Sequence, residues 1–231
     1  MKILALDTST SACSVALLTE NEARIRHEVV PLQHAKCILA YVEEILGPDR
    51  DSLDALAWGC GPGSFTGLRI AASVVQALGF AYQLPVINIS SLAALAQTAY
   101  QEQGWKRLLV AVDARMNEVY WGAYQINEDG YAELLGQEGL YSPQQCSALM
   151  GKNLDNSESW YAVGNAWSVY QAEMASCSEF NLKLSKPDCL PKALAVAQLG
   201  RLKYKKDQGG LHSFDALPTY LRDNVCQKKA S

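Results

Sequence analysis

Histidine is scarce in this 231-residue chain: only His27, His34 and His212 occur. No two stand within four residues of each other, so no helix can offer a His pair to a zinc-type metal. A metal held by carboxylates alone stays open. Paired cysteine spacing is also missing. The seven cysteines (Cys13, Cys37, Cys60, Cys146, Cys177, Cys189 and Cys226) are odd in number, and no C-x-x-C occurs. This pattern suits reduced thiols in a cytosol better than a disulfide framework. Cys60, flanked by glycines, is a candidate nucleophile, but without a neighbouring His it reads better as a small buried residue. No stretch reaches the ~20 apolar residues of a membrane span. The N-terminal run is broken by Asp7 and five Ser or Thr residues before a signal-peptide core forms. Positive charge is not in excess: 20 Lys and Arg face 24 Asp and Glu, a net −4, so the whole-chain field does not draw phosphate backbones. Arg201, Lys203, Lys205 and Lys206, with Lys228 and Lys229, form a local basic cluster. It reads first as a solvated helix end and second as a nucleic-acid contact.

What is present is an ordinary globular balance, 49% hydrophobic and 19% charged, in a chain long enough for one large domain or two lobes. Apolar runs at 2–7, 13–19 and 23–30 predict three successive strands, an antiparallel meander. Helical spacing follows over 32–46, closed by Gly47-Pro48. A strand enters at 54–59, then a glycine loop, a helix over 65–80, a strand at 85–89 and a helix at 91–103. After Gly104 the pattern restarts. A run at 108–114 again closes on an Asp, strands at 118–126 and 131–141 follow, then a helix near 143–151, a strand at 160–163 and a helix over 191–206. Asp7 and Asp113 hold matching places. The order predicts an internally duplicated α/β fold, each half a mixed sheet flanked by helices. The expected division is 1–103 and 104–231, with the 191–206 helix packing back on the first half.

Three segments carry candidate chemistry. Asp7-Thr8-Ser9-Thr10 ends the first strand. It reads either as a carboxylate with hydroxyls that hold a metal-bound phosphate or a water, or as a tight turn bonding its own backbone. Gly59-Cys60-Gly61-Pro62-Gly63-Ser64-Phe65-Thr66-Gly67-Leu68-Arg69 joins a strand to a helix, a competent place for an anion. It lacks the Lys-Ser or Lys-Thr of a Walker A loop and the dinucleotide register, and no G-x-S-x-G hydrolase elbow occurs. Asp7, Gly61, Gly63 and Ser64 are the nucleotide-binding candidates. The competing reading is a structural loop capped by Ser64. Asp113 and Arg115 mix charges at a hairpin turn; they read as a salt bridge across the lobe cleft or as residues that position a ligand, with a structural role the default. The 65–80 helix is apolar on nearly all sides, so it is either covered within the chain or part of a subunit interface. With the 32–46 helix it offers Ile38, Val42, Ile45, Leu68, Ala71, Val74, Val75 and Leu78 as interface candidates. His27 reads as solvent-facing on an edge strand, and His34 as a polar first-turn residue.

ILALDTSTSACSVALL, GCGPGSFTGLRI, DARMNEVYW and PTYLRDN together resemble the TsaB (YeaZ) family, over nearly the whole chain and most weakly over 145–190. The resemblance implies an actin/Hsp70/sugar-kinase fold, of ribonuclease H-like type, with two similar lobes. It implies a cytoplasmic, non-catalytic subunit required for threonylcarbamoyl transfer to adenosine 37 of tRNAs reading codons that begin with A. Its implied partners are a TsaD-like catalytic subunit, which it stabilises and activates, a TsaE-like ATPase in a ternary complex, and a second copy of itself. It would meet tRNA only through the complex, and ATP or ADP only at the complex interface. The catalytic relative TsaD has a His-x-x-x-His metal pair. Here Ser91 and Leu95 stand in those places, and a leucine cannot ligate metal. The alternative is an ATP-hydrolysing or peptidase-like enzyme of the same fold.

Overall fold

The structure is a computed structural model that describes residues 1–47, 52–154, 157–174, 181–183 and 188–222. Lys228, Lys229, Cys177 and Cys226 lie outside these residues. The first half opens with β1 (Ile3–Asp7), β2 (Ala12–Leu18) and β3 (Ala23–Val29), an antiparallel meander. Helix α1 (His34–Leu46) leads to β4 (Ala55–Gly61), parallel to β1, and α2 (Phe65–Tyr82) to β5 (Val86–Ser90), parallel to β4. The sheet order is β3-β2-β1-β4-β5. Helix α3 (Ser91–Gln103) connects to the second half, where β6 (Arg107–Arg115), β7 (Glu118–Ile126) and β8 (Ala132–Tyr141) repeat the meander. Helix α4 (Pro143–Asn153) precedes β9 (Trp160–Val163), and the short helices α5 (Ala166–Val169) and α6 (Gln171–Met174) precede β10 (Leu182–Lys183). The second order, β10-β9-β6-β7-β8, is the first one repeated: the opening strand sits centrally, with its meander on one side and two parallel strands on the other. Helix α7 (Ala193–Asp207) follows.

Period-two alternation sets the layers of the first sheet. Leu4 and Leu6 of β1 point to α1 and α2, where Ile38, Val42, Ile45, Ala71 and Val75 join them. Ile3 and Ala5 point to the other face, where Ala193, Val196 and Ala197 of α7 close the layer. Helix α3 lies between the two sheets. Its Leu92, Leu95, Ala96 and Ala99 pack with Leu108, Val110, Tyr124 and Val163. Ser90 Oγ caps α3 by accepting from Leu92 N and Ala93 N, and it donates to Glu138 of β8, which also accepts from Tyr124 Oη. The junction between the halves is thus both apolar and hydrogen-bonded.

The helix ends differ from the pattern by one or two residues. Leu32 is not helical; it takes a positive φ of 64° in the turn before α1. Helix α2 runs on to Tyr82 and stops where Gln83 turns left-handed. At 18 residues and mean hydropathy 1.2 it is long and apolar enough to cross a membrane, which the reading of apolar runs had excluded. Length and composition are all that test measures, and a core helix of a folded domain passes it too. Here one side of α2, with Ala71 and Val75, lies against the sheet.

Candidate functional site

The glycine loop is filled by the chain itself. Ser64 N donates to Ser9 O at 2.7 Å, and Thr8 Oγ1 donates to Gly67 O at 2.7 Å. A Cβ at Gly67 would overlap Thr8 O, and one at Gly63 would stand 2.9 Å from Ser9 Cβ. Gly61, at φ +115°, faces Thr219, whose carbonyl oxygen would lie 2.5 Å from a Cβ there. Thr219 N in turn donates to Cys60 O at 2.7 Å. The glycines therefore permit close approach of the β1 turn on one side and the 217–222 segment on the other. Ser64 caps α2, accepting from Gly67 N at 3.3 Å. Protein backbone thus occupies the space where a Cβ would stand at Gly61 and Gly63.

Asp7 belongs to the same packing. Its Oδ1 accepts from Ser9 N at 3.0 Å and Ser9 Oγ at 2.8 Å, the turn alternative of the two readings. Its Oδ2 is buried without a hydrogen-bond partner. Burial raises its pKa to about 7, against the lowering effect of the two Ser9 bonds. A carboxyl with a raised folded pKa contributes stability that is full below its unfolded value near 3.8 and is lost as pH rises through about 7. Asp7→Asn keeps the acceptor and removes the charge. Thermal unfolding should show the variant more stable than the parent at pH 8, by a few kcal/mol in order of magnitude, with the gap narrowing at pH 5 and closing only below the unfolded value near 3.8. An equal gap at both pH values would show that Asp7 does not titrate in this window.

The outer side of α1 and α2 is a different surface. A groove of about 510 Å³ runs between them, lined by Ala35, Leu39, Phe65, Arg69, Ile70 and Val74 among others. Leu39 is 61% exposed and Phe65 42%. Arg69 lies over the Phe65 ring, 3.9 Å from its centroid, and its Nε donates to Tyr220 Oη at 3.3 Å. Tyr220 packs on Phe65 with centroids 5.6 Å apart. Of the eight interface candidates, Ile38, Val42, Ile45, Ala71 and Val75 sit in the core beneath this surface, and Leu68 is buried too. A side chain already packed on its own sheet has no area left for a partner, although Ile38 also forms part of the groove. Val74 and Leu78 are half-buried against the core, and of the two Val74 lines the groove. Leu39, Phe65, Ile70 and Arg69 were not among the candidates. Leu39 belongs to the same apolar stripe of α1, and its exposure is what the pattern could not show.

A family model described as "TsaD: tRNA N6-adenosine threonylcarbamoyltransferase" matches residues 25–230. The Haemophilus influenzae protein named tRNA threonylcarbamoyladenosine biosynthesis protein TsaB is 39% identical, covering 99% of this chain and 97% of that one. This chain belongs to the TsaB family, within the wider TsaD-type family. A Pseudomonas aeruginosa structure described by its similarity to peptidase YEAZ superposes with a TM-score of 0.86 at 41% identity, covering 96% of this chain and 99% of that one. ROK hexokinase from Thermus thermophilus, at 12% identity, TM-score 0.51 and coverage of 89% and 100%, shares the fold alone. The fold is of the actin/Hsp70/sugar-kinase class, as the sequence resemblance implied.

In this TsaB-family chain Ser91 is buried and its Oγ accepts from Gly61 N at 3.2 Å, while Leu95 lies in the core between the sheets. Both places are taken by packing. Among the described residues no group of three or more His, Cys, Asp or Glu is placed to hold a metal ion. His34 is the first residue of α1, as read, and it is buried, with Nε2 3.2 Å from Ala12 O. His27 is on the edge strand β3 but half-buried, its Nδ1 enclosed and its pKa lowered by that burial and by Lys192. The Cys60 thiol is buried and pushed up by desolvation, the opposite of an activated nucleophile. Asp113 and Arg115 do pair, at 3.4 Å.

Proposed function

We propose that this chain is a non-catalytic, cytoplasmic subunit of tRNA threonylcarbamoyladenosine biosynthesis that activates a TsaD-like catalytic partner by docking through α1 and α2. The observation that carries this reading is the exposed groove of Leu39, Phe65, Ile70 and Val74 on a helix pair whose inner side is already used by the core. Exposed apolar surface with an arginine on an aromatic ring is the composition of interface centres. The near full-length match to a protein named for this modification supplies the pathway. The same reading includes the finer expectations of the resemblance: adenosine 37 of tRNAs for codons beginning with A, a TsaE-like ATPase joining the complex, a homodimer of the chain alone, and lobes divided at 103/104. Any ATP or ADP would then sit against partner residues, since the chain's own glycine loop is filled.

The test is reconstitution. Mass measurement of the chain alone and mixed with a TsaD-like protein should give a mixed species, and threonylcarbamoyl transfer to tRNA by that partner should rise when the chain is added. No mixed species, or transfer indifferent to the chain, sinks the reading. The enzyme alternative predicts instead that the isolated chain turns over ATP with a divalent metal.

A further inference from the structure

The turn between β6 and β7 has an unusual backbone: among the described residues it holds three consecutive non-glycine residues of positive φ. Arg115, Met116 and Asn117 follow one another at φ 63°, 58° and 59°. Side-chain-bearing residues seldom adopt that region, and runs of it are rarer still. Yet the turn is tightly held. Arg222 Nη2 donates to Ala114 O at 3.1 Å, to Arg115 O at 3.3 Å and to the Glu118 carboxylate, while Nη1 reaches Met116 Sδ at 3.4 Å. Asp113 grips from below, its Oδ1 accepting from Arg115 N at 2.8 Å and from Tyr170 Oη at 2.9 Å. What this scaffold displays is solvent-exposed: Met116 is 64% exposed and the Arg115 side chain 85%. An ordered backbone that presents an apolar and a cationic side chain to solvent is an arrangement that serves contact with something outside the chain.

The turn is also continuous with the helix groove. Arg222 is two residues beyond Tyr220, and Tyr220 packs on Phe65 and Arg69 at the groove's end. The 220–222 segment thus ties the groove, through Tyr220, to the β6–β7 turn, through Arg222, although groove and turn come from different halves of the chain. The exposed cations along this path are Arg69 and Arg115, whereas the acids at the turn are already engaged: Glu118 with Arg222, and Asp113 with Arg115 and Tyr170. A protein surface that carries an apolar patch beside carboxylates complements this path.

We propose that the β6–β7 turn, through Met116 and Arg115, is a second contact region for the TsaD-like partner, and that Arg222 is the positioning residue that holds it in register with the α1–α2 groove. The inference rests on the docking reading above and extends it to the second half of the chain. Arg222 makes no contact with the partner in this scheme. It fixes the turn that does.

The test is calorimetric titration of the full chain with a TsaD-like partner. Met116→Asp and Arg115→Glu should each weaken binding about tenfold, the scale of one interface side chain. Arg222→Ala should weaken it comparably, with amide exchange of 114–118 accelerated, and Arg222→Lys should recover part of the loss. The pair Met116→Asp with Arg222→Ala should weaken binding by less than the product of the two single effects, because both act through the same turn. If Arg222→Ala lowers the melting temperature and leaves affinity intact, the arginine is merely structural and the inference falls. It falls likewise if turn substitutions change only self-association or tRNA retention. A groove variant, Leu39→Asp with Val74→Asp, separates the two claims. Loss of binding there with unaffected turn variants overturns this inference and spares the docking reading. Full affinity there removes the docking reading, and the inference with it.

Discussion

The double substitution Leu39→Asp with Val74→Asp should lower affinity for a TsaD-like partner more than about 100-fold and leave the chain folded. Leu39 stands 61% exposed on α1, and Val74 lies at the groove rim of α2. Carboxylates at those places are hydrated in the free chain and must lose that hydration when a helix face covers them, at a cost of several kcal/mol each unless a cation meets them. Leu39→Asp should change unfolding by no more than about 0.5 kcal/mol, as outward substitutions usually do. Val74 is half-buried against the core, and its replacement should cost about 1–3 kcal/mol, which leaves the chain folded. The same chemistry one position along has the opposite result. Val75→Asp places its charge in the core with Leu4, Leu6 and Trp58, so the chain should fail to fold rather than fail to bind. Mass measurement of the mixture, beside a thermal melt of each variant, distinguishes the two. A double variant that still binds at parental affinity would show that the groove is not the docking surface.

Gly67→Ala should destabilise the protein by about 3–5 kcal/mol, against the usual sign of this change. In a helix alanine normally improves on glycine by ~1 kcal/mol, and Gly67 is in the first turn of α2. Its neighbour reverses the outcome. The added methyl would overlap Thr8 O and stand 3.1 Å from Thr8 C, both of them backbone atoms of the β1 turn. Relief requires separating α2 from that turn, which would also break the Thr8 Oγ1 bond to Gly67 O. For a chain of this size the melting temperature should fall by about 10 °C. A melting temperature equal to or above the parent's would show that the turn yields at no cost.

Much of this was legible from residues alone. The repeated order of strands and helices, the Ser64 cap and the Asp113–Arg115 pair follow from periodicity and local chemistry, and the structure contains each of them. The docking face was legible only as a pair of helices. Helix α2 is apolar on nearly all sides, and Val74 and Val75 are adjacent in sequence yet point to rim and core. Spacing cannot say which side the sheet will take. The glycine loop admits two readings for a related reason: the same small residues that let a phosphate approach also let another part of the chain approach. Which of the two comes depends on Ser9 and Thr219, the latter some 150 positions away in sequence. Arg222 carried no signal, because its partners at 114–118 are set by the tertiary fold. The buried Asp7 oxygen was equally hidden, since nothing local tells that β1 is covered on both faces.

Helix α7 bears on how the chain is made. It is the last helix described, yet it supplies one of the two layers against the first sheet, over Ile3, Ala5 and Ile87. A nascent chain leaving the ribosome can pair β1 through β5 early, but one side of that sheet stays open to water until residues 193–207 have emerged. Until then this is an apolar surface of the kind that chaperones hold. Completion of the first half therefore waits on a segment that follows the whole second sheet in the chain.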